Sequence, residues 1–258
     1  MTSRTVTLLT DFGVTDPFVG VMKGVVLAHC ADARLVDLTH GIEPQRVSDA
    51  AFWIAQSYRW FPPETVHLVV VDPGVGSERA PLALQAGEHY FVGPDNGIFE
   101  GVLARESRRE CRAIDVGGLG LPLPSRTFHG RDVFAPVAGM LAAGLAFARL
   151  GPLLELSPSQ LLPQATFEDA EANGEVVVID HFGNLITNLE IGARADGRRA
   201  VVEVAGQALP LVGTYSELAP YACGAVVGSF GQIELVERNG SAARTLSAQR
   251  GTPVRVSW

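Results

Sequence analysis

Cysteine is scarce in this sequence, and its few copies are not spaced for pairing. The chain of 258 residues has three cysteines, Cys30, Cys111 and Cys223, and contains no C-x-x-C motif. An odd number of widely spaced cysteines argues against a disulfide framework and indicates reduced thiols. We therefore expect a cytoplasmic protein.

Long apolar runs and excess positive charge are also missing. No run approaches the roughly 20 apolar residues that a membrane-spanning helix needs. The N-terminal MTSRTVTLLTDFG leads directly into a predicted strand and lacks the pattern of a signal peptide. The formal net charge of −8 argues against a general nucleic-acid surface. We expect neither a membrane nor a nucleic acid as a partner.

Several motifs that bind metals and cofactors are absent from the sequence. There is no G-x-x-x-x-G-K-[ST] motif and no G-x-G-x-x-G after the first predicted strand, so NTP hydrolysis and dinucleotide redox chemistry are unsupported. The six histidines do not fall into H-x-H or H-E-x-x-H spacing. We expect no metal site and no cofactor.

The first part of the chain alternates predicted strands and helices. This alternation predicts a layered, mainly parallel α/β sheet. The predicted strands are Thr5–Leu9, Leu35–Leu38, Val66–Val71 and Tyr90–Val92. The first predicted helix has Asp16 as its N-cap, begins at Pro17 and ends near His29. The other predicted helices are Val47–Tyr58, a short one ending near Arg105, and Val133–Leu145.

The pattern changes after a segment rich in proline and small polar residues. Residues 151–174 are interpreted as a linker, and the strand-like runs beyond them are broken by Gly, Asn and Asp. Such short strands predict a small antiparallel β-barrel or sandwich. We expect two domains, an α/β domain over residues 1–165 and a β-barrel domain over residues 174–258.

Two aspartates directly follow predicted parallel strands. Asp11 follows the first strand. Asp72 follows the run Val66–Val71, which is apolar apart from His67, and enters a Pro-Gly turn. Open parallel sheets bind ligands beyond the carboxyl ends of their strands, where a carboxylate can accept hydrogen bonds from both hydroxyls of a ribose. The alternative is that each aspartate only caps a turn.

Two further segments combine polar and aromatic residues. In TFHGRD, His129 precedes a predicted helix N-terminus and is a candidate base or orienting group, or else a structural histidine, while Asp132 is the expected N-cap. In IDHFGNLITN, Phe182 is placed to stack on a base whose edge bonds to Asn184. The alternative for that segment is a plain hairpin turn.

Six motifs, taken together and in order, resemble one family over nearly the whole chain: TDFGVTDPFVGVMKG, VVVDPGVGSERAP, GPDNGI, TFHGRDVFAPVA, IDHFGNLITN and SFGQIELVERNGSA. The sequence is similar to the S-adenosylmethionine (SAM) hydroxide adenosyltransferases, which are related to fluorinating and chlorinating enzymes. The resemblance implies an N-terminal α/β domain, a C-terminal β-barrel and a homotrimer. Each active site would lie between one subunit's N-terminal domain and a neighbour's C-terminal domain.

The resemblance also implies roles for particular residues. The hydrolases of the family carry a catalytic Asp, Arg and His, and Gly130 stands where fluorinating enzymes hold a serine. The implied catalytic residues are Asp72, Arg79 and His129, and the implied substrate-binding residues are Asp11, Asp180, Phe182, Asn184, Ser229 and Glu234.

The implied reaction is attack of water on C5′ of SAM, which gives adenosine and L-methionine. SAM is then the substrate, and no cofactor takes part. One alternative is a halide-using SAM adenosyltransferase that makes 5′-halo-5′-deoxyadenosine. Another is a protein that binds adenosine or SAM without turnover.

Overall fold

The structure, a computed structural model, describes residues 4–156, 159–191 and 200–258. The chain divides into two compact units, Met1–Leu161 and Leu162–Trp258. Within residues 151–174, which the sequence marks as a linker, Leu153 bridges to Arg112 and two strands begin. None of the helices formed by the described residues is long and apolar enough to cross a membrane.

The first unit contains a six-stranded sheet. Its strands are β1 (Thr5–Thr10), β2 (Arg34–Thr39), β3 (Val66–Val70), β4 (Pro81–Ala86), β5 (His89–Pro94) and β6 (Arg109–Ala113). The order across the sheet is β2-β1-β3-β5-β4-β6, and the first four of these strands are parallel to one another. β4 runs antiparallel to both of its neighbours. The mainly parallel α/β sheet predicted from the sequence is confirmed.

Helices cover both faces of this sheet. They are α1 (Phe18–His29), α2 (Val47–Ser57), α3 (Glu100–Arg105) and α4 (Ala135–Ala142), with a π-helical turn at Gly130–Phe134 leading into α4. Alternate residues of a central strand pack on opposite faces. Leu68 lies in the same apolar cluster as Met22 of α1, whereas Val69 lies with Ile54 of α2. This double burial explains why β3 is apolar apart from the buried His67 and lacks polar alternation.

The helix ends differ from those predicted. α1 begins at Phe18, after Pro17, and the Asp16 side chain does not cap it. α4 ends at Ala142 instead of Leu145 because Gly144 adopts a left-handed conformation, with φ of +93°. β4 and β6 have no counterpart among the predicted strands.

The second unit is an antiparallel sheet with little helix among its described residues. Its strands are β7 (Thr166–Phe167), β8 (Glu171–Ile179), β9 (Leu185–Thr187), β10 (Val201–Val204), β11 (Gln207–Pro210), β12 (Cys223–Val227), β13 (Ile233–Glu237) and β14 (Pro253–Ser257), with a short α5 (Ala242–Thr245). The path β11-β10-β14-β8-β9-β13-β12 is nearly closed by a bridge between Leu211 and Ala225. This confirms the small antiparallel barrel.

Candidate active site

Polar residues gather at the carboxyl edge of the first sheet. β1, β3 and β5 are adjacent and parallel, with Thr10 opposite Val70 at the end of one ladder. Asp11, Asp72 and Asp95 each follow one of these strands closely. Because parallel strands end at the same edge, three carboxylates approach one region of the surface.

Asp72 and Arg79 form a bidentate ion pair within one loop. Arg79 donates from Nε to Asp72 Oδ1 over 2.8 Å and from Nη2 to Oδ2. Both side chains are largely buried, with a relative exposure of 9% for Arg79 and 6% for Asp72. Such a planar pair holds the guanidinium and the carboxylate in a fixed mutual orientation.

His129 is joined to the same guanidinium. Arg79 Nη2 lies 2.9 Å from His129 Nδ1. Arginine is always a donor, so Nδ1 accepts and the imidazole proton resides on Nε2. Burial, and then the positive charge of Arg79, lower the pKa of His129, although Asp72 and Asp132 oppose this shift. The histidine is therefore neutral at pH 7.

The third guanidinium nitrogen of Arg79, Nη1, differs from the other two in its surroundings. Nη1 is buried and finds no hydrogen-bond partner among the described residues. The ring of Phe134 lies 5.3 Å from the guanidinium carbon. Buried charged donors almost always have a partner, so an unpaired N–H at this place fits a bound oxygen of a ligand or water.

The residues that follow His129 hold it in position. Asp132 does not act as the predicted N-cap, because its carboxylate accepts from Ser125 N at 2.8 Å and pairs with Arg131. Its pKa falls to about 2, mainly through the hydrogen bond from Arg131. A Cβ at Gly130 would lie only 3.1 Å from both Met22 Sδ and the Phe128 ring, so the smallest residue is needed for this packing.

Asp11 accepts a hydrogen bond from the backbone of a neighbouring loop. Its Oδ2 accepts from the backbone N–H of Gln45 over 2.8 Å, and Gln45 itself adopts a left-handed conformation with φ of +68°. The preceding Thr10 contacts His40 Nδ1 at 2.8 Å and accepts from Phe12 N. The loop that carries Asp11 is thus fixed from two directions.

The second unit brings three of its predicted residues together in one turn. Asp180 Oδ1 accepts from the backbone N–H groups of Phe182 and Asn184, each at 2.9 Å, and Oδ2 accepts from Asn184 Nδ2 at 2.9 Å. The turn leaves the Phe182 ring 74% exposed while Asn184 is buried. It therefore presents an aromatic face beside a fixed amide, and Asp180 supports that arrangement.

Glu234 and Ser229 lie on strand β13 and the turn before it. Glu234 is buried opposite Ile186 of β9, and burial, then the charge of Asp180, raise its pKa. A Cβ at Gly228 would collide with the Glu234 carboxylate, which therefore lies under the turn that exposes Ser229.

Two residues of the carboxyl edge were missed by the sequence reasoning about the site. Asn96 donates from Nδ2 to the Val71 carbonyl over 2.9 Å, and burial raises the pKa of Asp95. Both belong to the GPDNG motif that follows the fourth predicted strand. Their position beyond a parallel strand was the available signal.

Comparisons with known proteins identify the family to which the chain belongs. The family models for the SAM hydroxide adenosyltransferase N-terminal and C-terminal domains match residues 6–151 and 174–255. An (R)-S-adenosyl-L-methionine hydrolase of Thermus thermophilus is 38% identical, over 98% of this chain and 99% of that protein. A fluorinase of Actinopolyspora mzabensis is more distant, at 27% identity over 98% of this chain and 96% of its own.

A solved structure has the same fold. A conserved protein of Thermotoga maritima superposes with a TM-score of 0.91 at 31% identity, covering 98% of this chain and all of that one. Together with the two family models, which span most of the chain, this confirms the resemblance read from the six motifs. The chain belongs to the SAM hydroxide adenosyltransferase family.

Proposed function

We propose that this protein hydrolyses SAM at C5′, giving adenosine and L-methionine. One observation carries the proposal: the buried Arg79 guanidinium is fixed between Asp72 and His129, and its Nη1 has no partner among the described residues. Such a donor is suited to hold the oxygen of water as it gains negative charge. The family membership and the named relatives supply the substrate.

The reaction is a single displacement. The water oxygen forms a bond to C5′, and the C5′–S bond breaks with its electron pair going to sulfur. The sulfonium leaves as a neutral thioether, so no general acid is needed. The charges of hydroxide and sulfonium are lost in the transition state, which favours a site closed to bulk water. Positioning of the water opposite sulfur supplies the larger share of the rate.

The water must also lose a proton. Neutral His129 carries its proton on Nε2, and its basic Nδ1 is occupied by Arg79. Each oxygen of Asp72 accepts from Arg79 but keeps a second lone pair. We therefore assign the proton to Asp72, while Arg79 holds the nascent hydroxide.

The other residues bind the substrate in this proposal. Asp11, with one oxygen held by Gln45, accepts from the ribose hydroxyls. Phe182 stacks on adenine beside Asn184, in the turn that Asp180 supports. Ser229 and Glu234 face the methionine end, where the buried carboxylate suits the α-ammonium group.

These two groups of residues belong to different units of the chain. We propose a homotrimer in which the first unit of one subunit and the second unit of a neighbour complete each site. We also propose a cytoplasmic location, which the free thiols of Cys30, Cys111 and Cys223 support.

The test is incubation with SAM in water enriched in heavy oxygen, with and without chloride or fluoride. The label is expected in the 5′ hydroxyl of adenosine and not in methionine, at a rate independent of halide. A 5′-halo product would favour the halide-using alternative. Adenine or methylthioadenosine as the main product would overturn attack at C5′. Stoichiometric binding without product would indicate a binding protein.

The proposal includes no cofactor and no metal. Among the described residues no group of three or more His, Cys, Asp or Glu is arranged to hold a metal ion. A thioether leaving group needs no Lewis acid, so prolonged chelation should leave the rate unchanged. Loss of activity on chelation, restored by one divalent ion, would contradict this.

A further inference from the structure

The GPDNG motif forms a turn that makes hydrogen bonds to the residue before Asp72 and to the residue after Arg79. Asp95 N donates to the carbonyl of Ala80, the residue after Arg79, over 3.0 Å. Asn96 Nδ2 donates to the carbonyl of Val71, the residue before Asp72, over 2.9 Å. Neither of these bonds reaches the reacting side chains themselves.

The hydrogen bond from Asn96 lies just beyond the last paired residue of strand β3. The last paired residues of β3 are Leu68, opposite Val92 of β5, and Val70, opposite Thr10 of β1. Val71 lies beyond both ladders and is fully buried, so its carbonyl needs a partner other than the strands described on either side of β3. The Asn96 amide supplies that partner and fixes the peptide from which Asp72 projects.

Asn96 is itself held in place. Ile98 N lies 3.3 Å from Asn96 Oδ1, which closes a local turn around the side chain. Gly97 is left-handed, with φ of +86°, and a Cβ there would collide with Ser159 and Leu161. The amide is thus fixed at its oxygen by the turn and at its nitrogen by Val71.

We propose that Asn96 is a positioning residue for SAM hydrolysis, acting through the Val71 carbonyl to orient Asp72 and, through it, Arg79. This inference rests on the proposed function. A displacement of Asp72 on the order of 1 Å would misalign the attacking water and slow the chemical step. Substrate binding at Asp11 and in the second unit would be little changed.

Two variants separate this role from ordinary stability. Asn96→Ser keeps a short oxygen for the bond from Ile98 N but cannot reach Val71, and Asn96→Asp replaces the donor with an acceptor. Asn188 is a matched control in the other unit, because its Nδ2 donates to Pro163 O at 2.9 Å and its Oδ1 accepts from Glu175 N at 2.8 Å. Asn188→Asp loses the same kind of bond.

The experiment measures kcat and KM for SAM in enzymes shown to be folded, after wild type has been shown to release adenosine. Both Asn96 variants should lose about tenfold or more in kcat with KM changed less than about twofold. Asn188→Asp should lower the Tm by an amount similar to that in the Asn96 variants and leave kcat unchanged. Unchanged kcat in a folded Asn96→Ser enzyme, or a loss confined to KM, would overturn the proposal.

A second readout does not require turnover. The imidazole resonances of His129, assigned with a His129→Asn variant, report its titration. In wild type, burial and then the charge of Arg79 lower the pKa of His129, while Asp72 and Asp132 oppose this shift. Loosening of the pair should let this pKa rise in Asn96→Ser and not in Asn188→Asp. An unchanged titration in a folded Asn96→Ser enzyme would contradict the positioning role, even if wild type failed to hydrolyse SAM.

Discussion

Arg79 determines which nitrogen of His129 carries a proton. Its Nη2 donates to Nδ1 over 2.9 Å, and the same guanidinium binds both oxygens of Asp72. Lysine has the charge of arginine but not its planar set of donors. A Lys side chain can serve only part of these contacts, so the arrangement depends on the guanidinium shape as well as on its charge.

The first prediction concerns that shape. Arg79→Lys should lower kcat by about 100-fold or more, the loss typical for a positioned electrostatic group. Arg59→Lys is the matched control, because Arg59 also pairs with a carboxylate, Glu106, at 3.1 Å in the same unit. Steady-state assays of both folded variants decide the matter. A nearly normal rate for Arg79→Lys would contradict the assignment.

The second prediction is an acid limit to activity. Protonation of His129 would place a proton on Nδ1 against the N–H of Arg79, so the neutral form is required. Burial and Arg79 lower the pKa of His129. Activity should therefore persist below pH 6.5, the ordinary value, and fall only in more acidic buffer.

Asp132 provides the check on that limit. Its charge opposes the lowering of the His129 pKa, so Asp132→Asn should move the acid limb to still lower pH. The asparagine oxygen can keep the bond from Ser125 N. Circular dichroism at each pH must show folded protein. An acid limb that does not move would argue against His129 as its source.

The third prediction concerns stability, through a buried pair of histidines away from the carboxyl edge. His67 Nδ1 lies 2.7 Å from Thr7 Oγ1, and His67 Nε2 lies 3.2 Å from His89 Nδ1. Burial, and then the charge of His89, lower the pKa of His67. Burial lowers the pKa of His89, and Glu106 and Glu88 partly oppose that shift.

Because the unfolded chain binds these protons at higher pH, the free energy of unfolding should be greatest above pH 6.5. It should fall as the pH drops below that value, by up to about 1.4 kcal/mol per pH unit for each histidine. Urea titrations between pH 8 and pH 5 measure the slope. His67→Gln should flatten it, whereas exposed His181→Gln should not. If the pH dependence of the unfolding free energy had the same slope in both variants, His67 would not be its source.

The fourth prediction concerns assembly. Asp72→Ala removes a residue of the first unit, and Asn184→Ala removes one of the second. If sites form between subunits, mixed trimers should regain activity, with about a quarter of the sites intact after random mixing. The assay compares the mixture, refolded together, with each variant alone. A fully active monomer in light scattering would rule out shared sites.

The fifth prediction concerns Gly130. A Cβ there meets Met22 and Phe128 at 3.1 Å, so Gly130→Ser should lower stability by about 1–3 kcal/mol through overpacking. It should not introduce halide use. Gly20→Ala on α1 is the control, because a Cβ there meets nothing within 4 Å. Gly20→Ala should leave stability equal or raise it by roughly 0.5–1 kcal/mol. Thermal unfolding of both variants measures the difference.

The sequence predicted the parts of the fold that depend on local pattern. β3 is buried on both faces, so its run of residues, apolar apart from His67, marked a parallel strand and placed Asp72 at the carboxyl edge. β4 was missed because the short PLALQA segment has no distinctive period, and its antiparallel direction is set by pairing with β5 and β6.

The candidate site was predictable in its members but not in its contacts. The motifs marked Asp72, Arg79 and His129, yet nothing in them shows that Arg79 donates to Nδ1 or that no described residue bonds to Nη1. Asp132 was expected to cap a helix. A π-helical turn precedes α4 instead, so its carboxylate turns to Ser125. Such choices depend on tertiary packing.

The antiparallel course of β4 has a consequence for the order in which the contacts of Arg79 form during folding. The loop into β4 returns the chain so soon that Arg79 meets Asp72 across a separation of only seven residues, whereas His129 is separated from Arg79 by 50. Closing the longer loop costs about 1.7 kcal/mol more chain entropy. We therefore expect the ion pair to form early from local chain alone, and the segment that carries His129 to dock later.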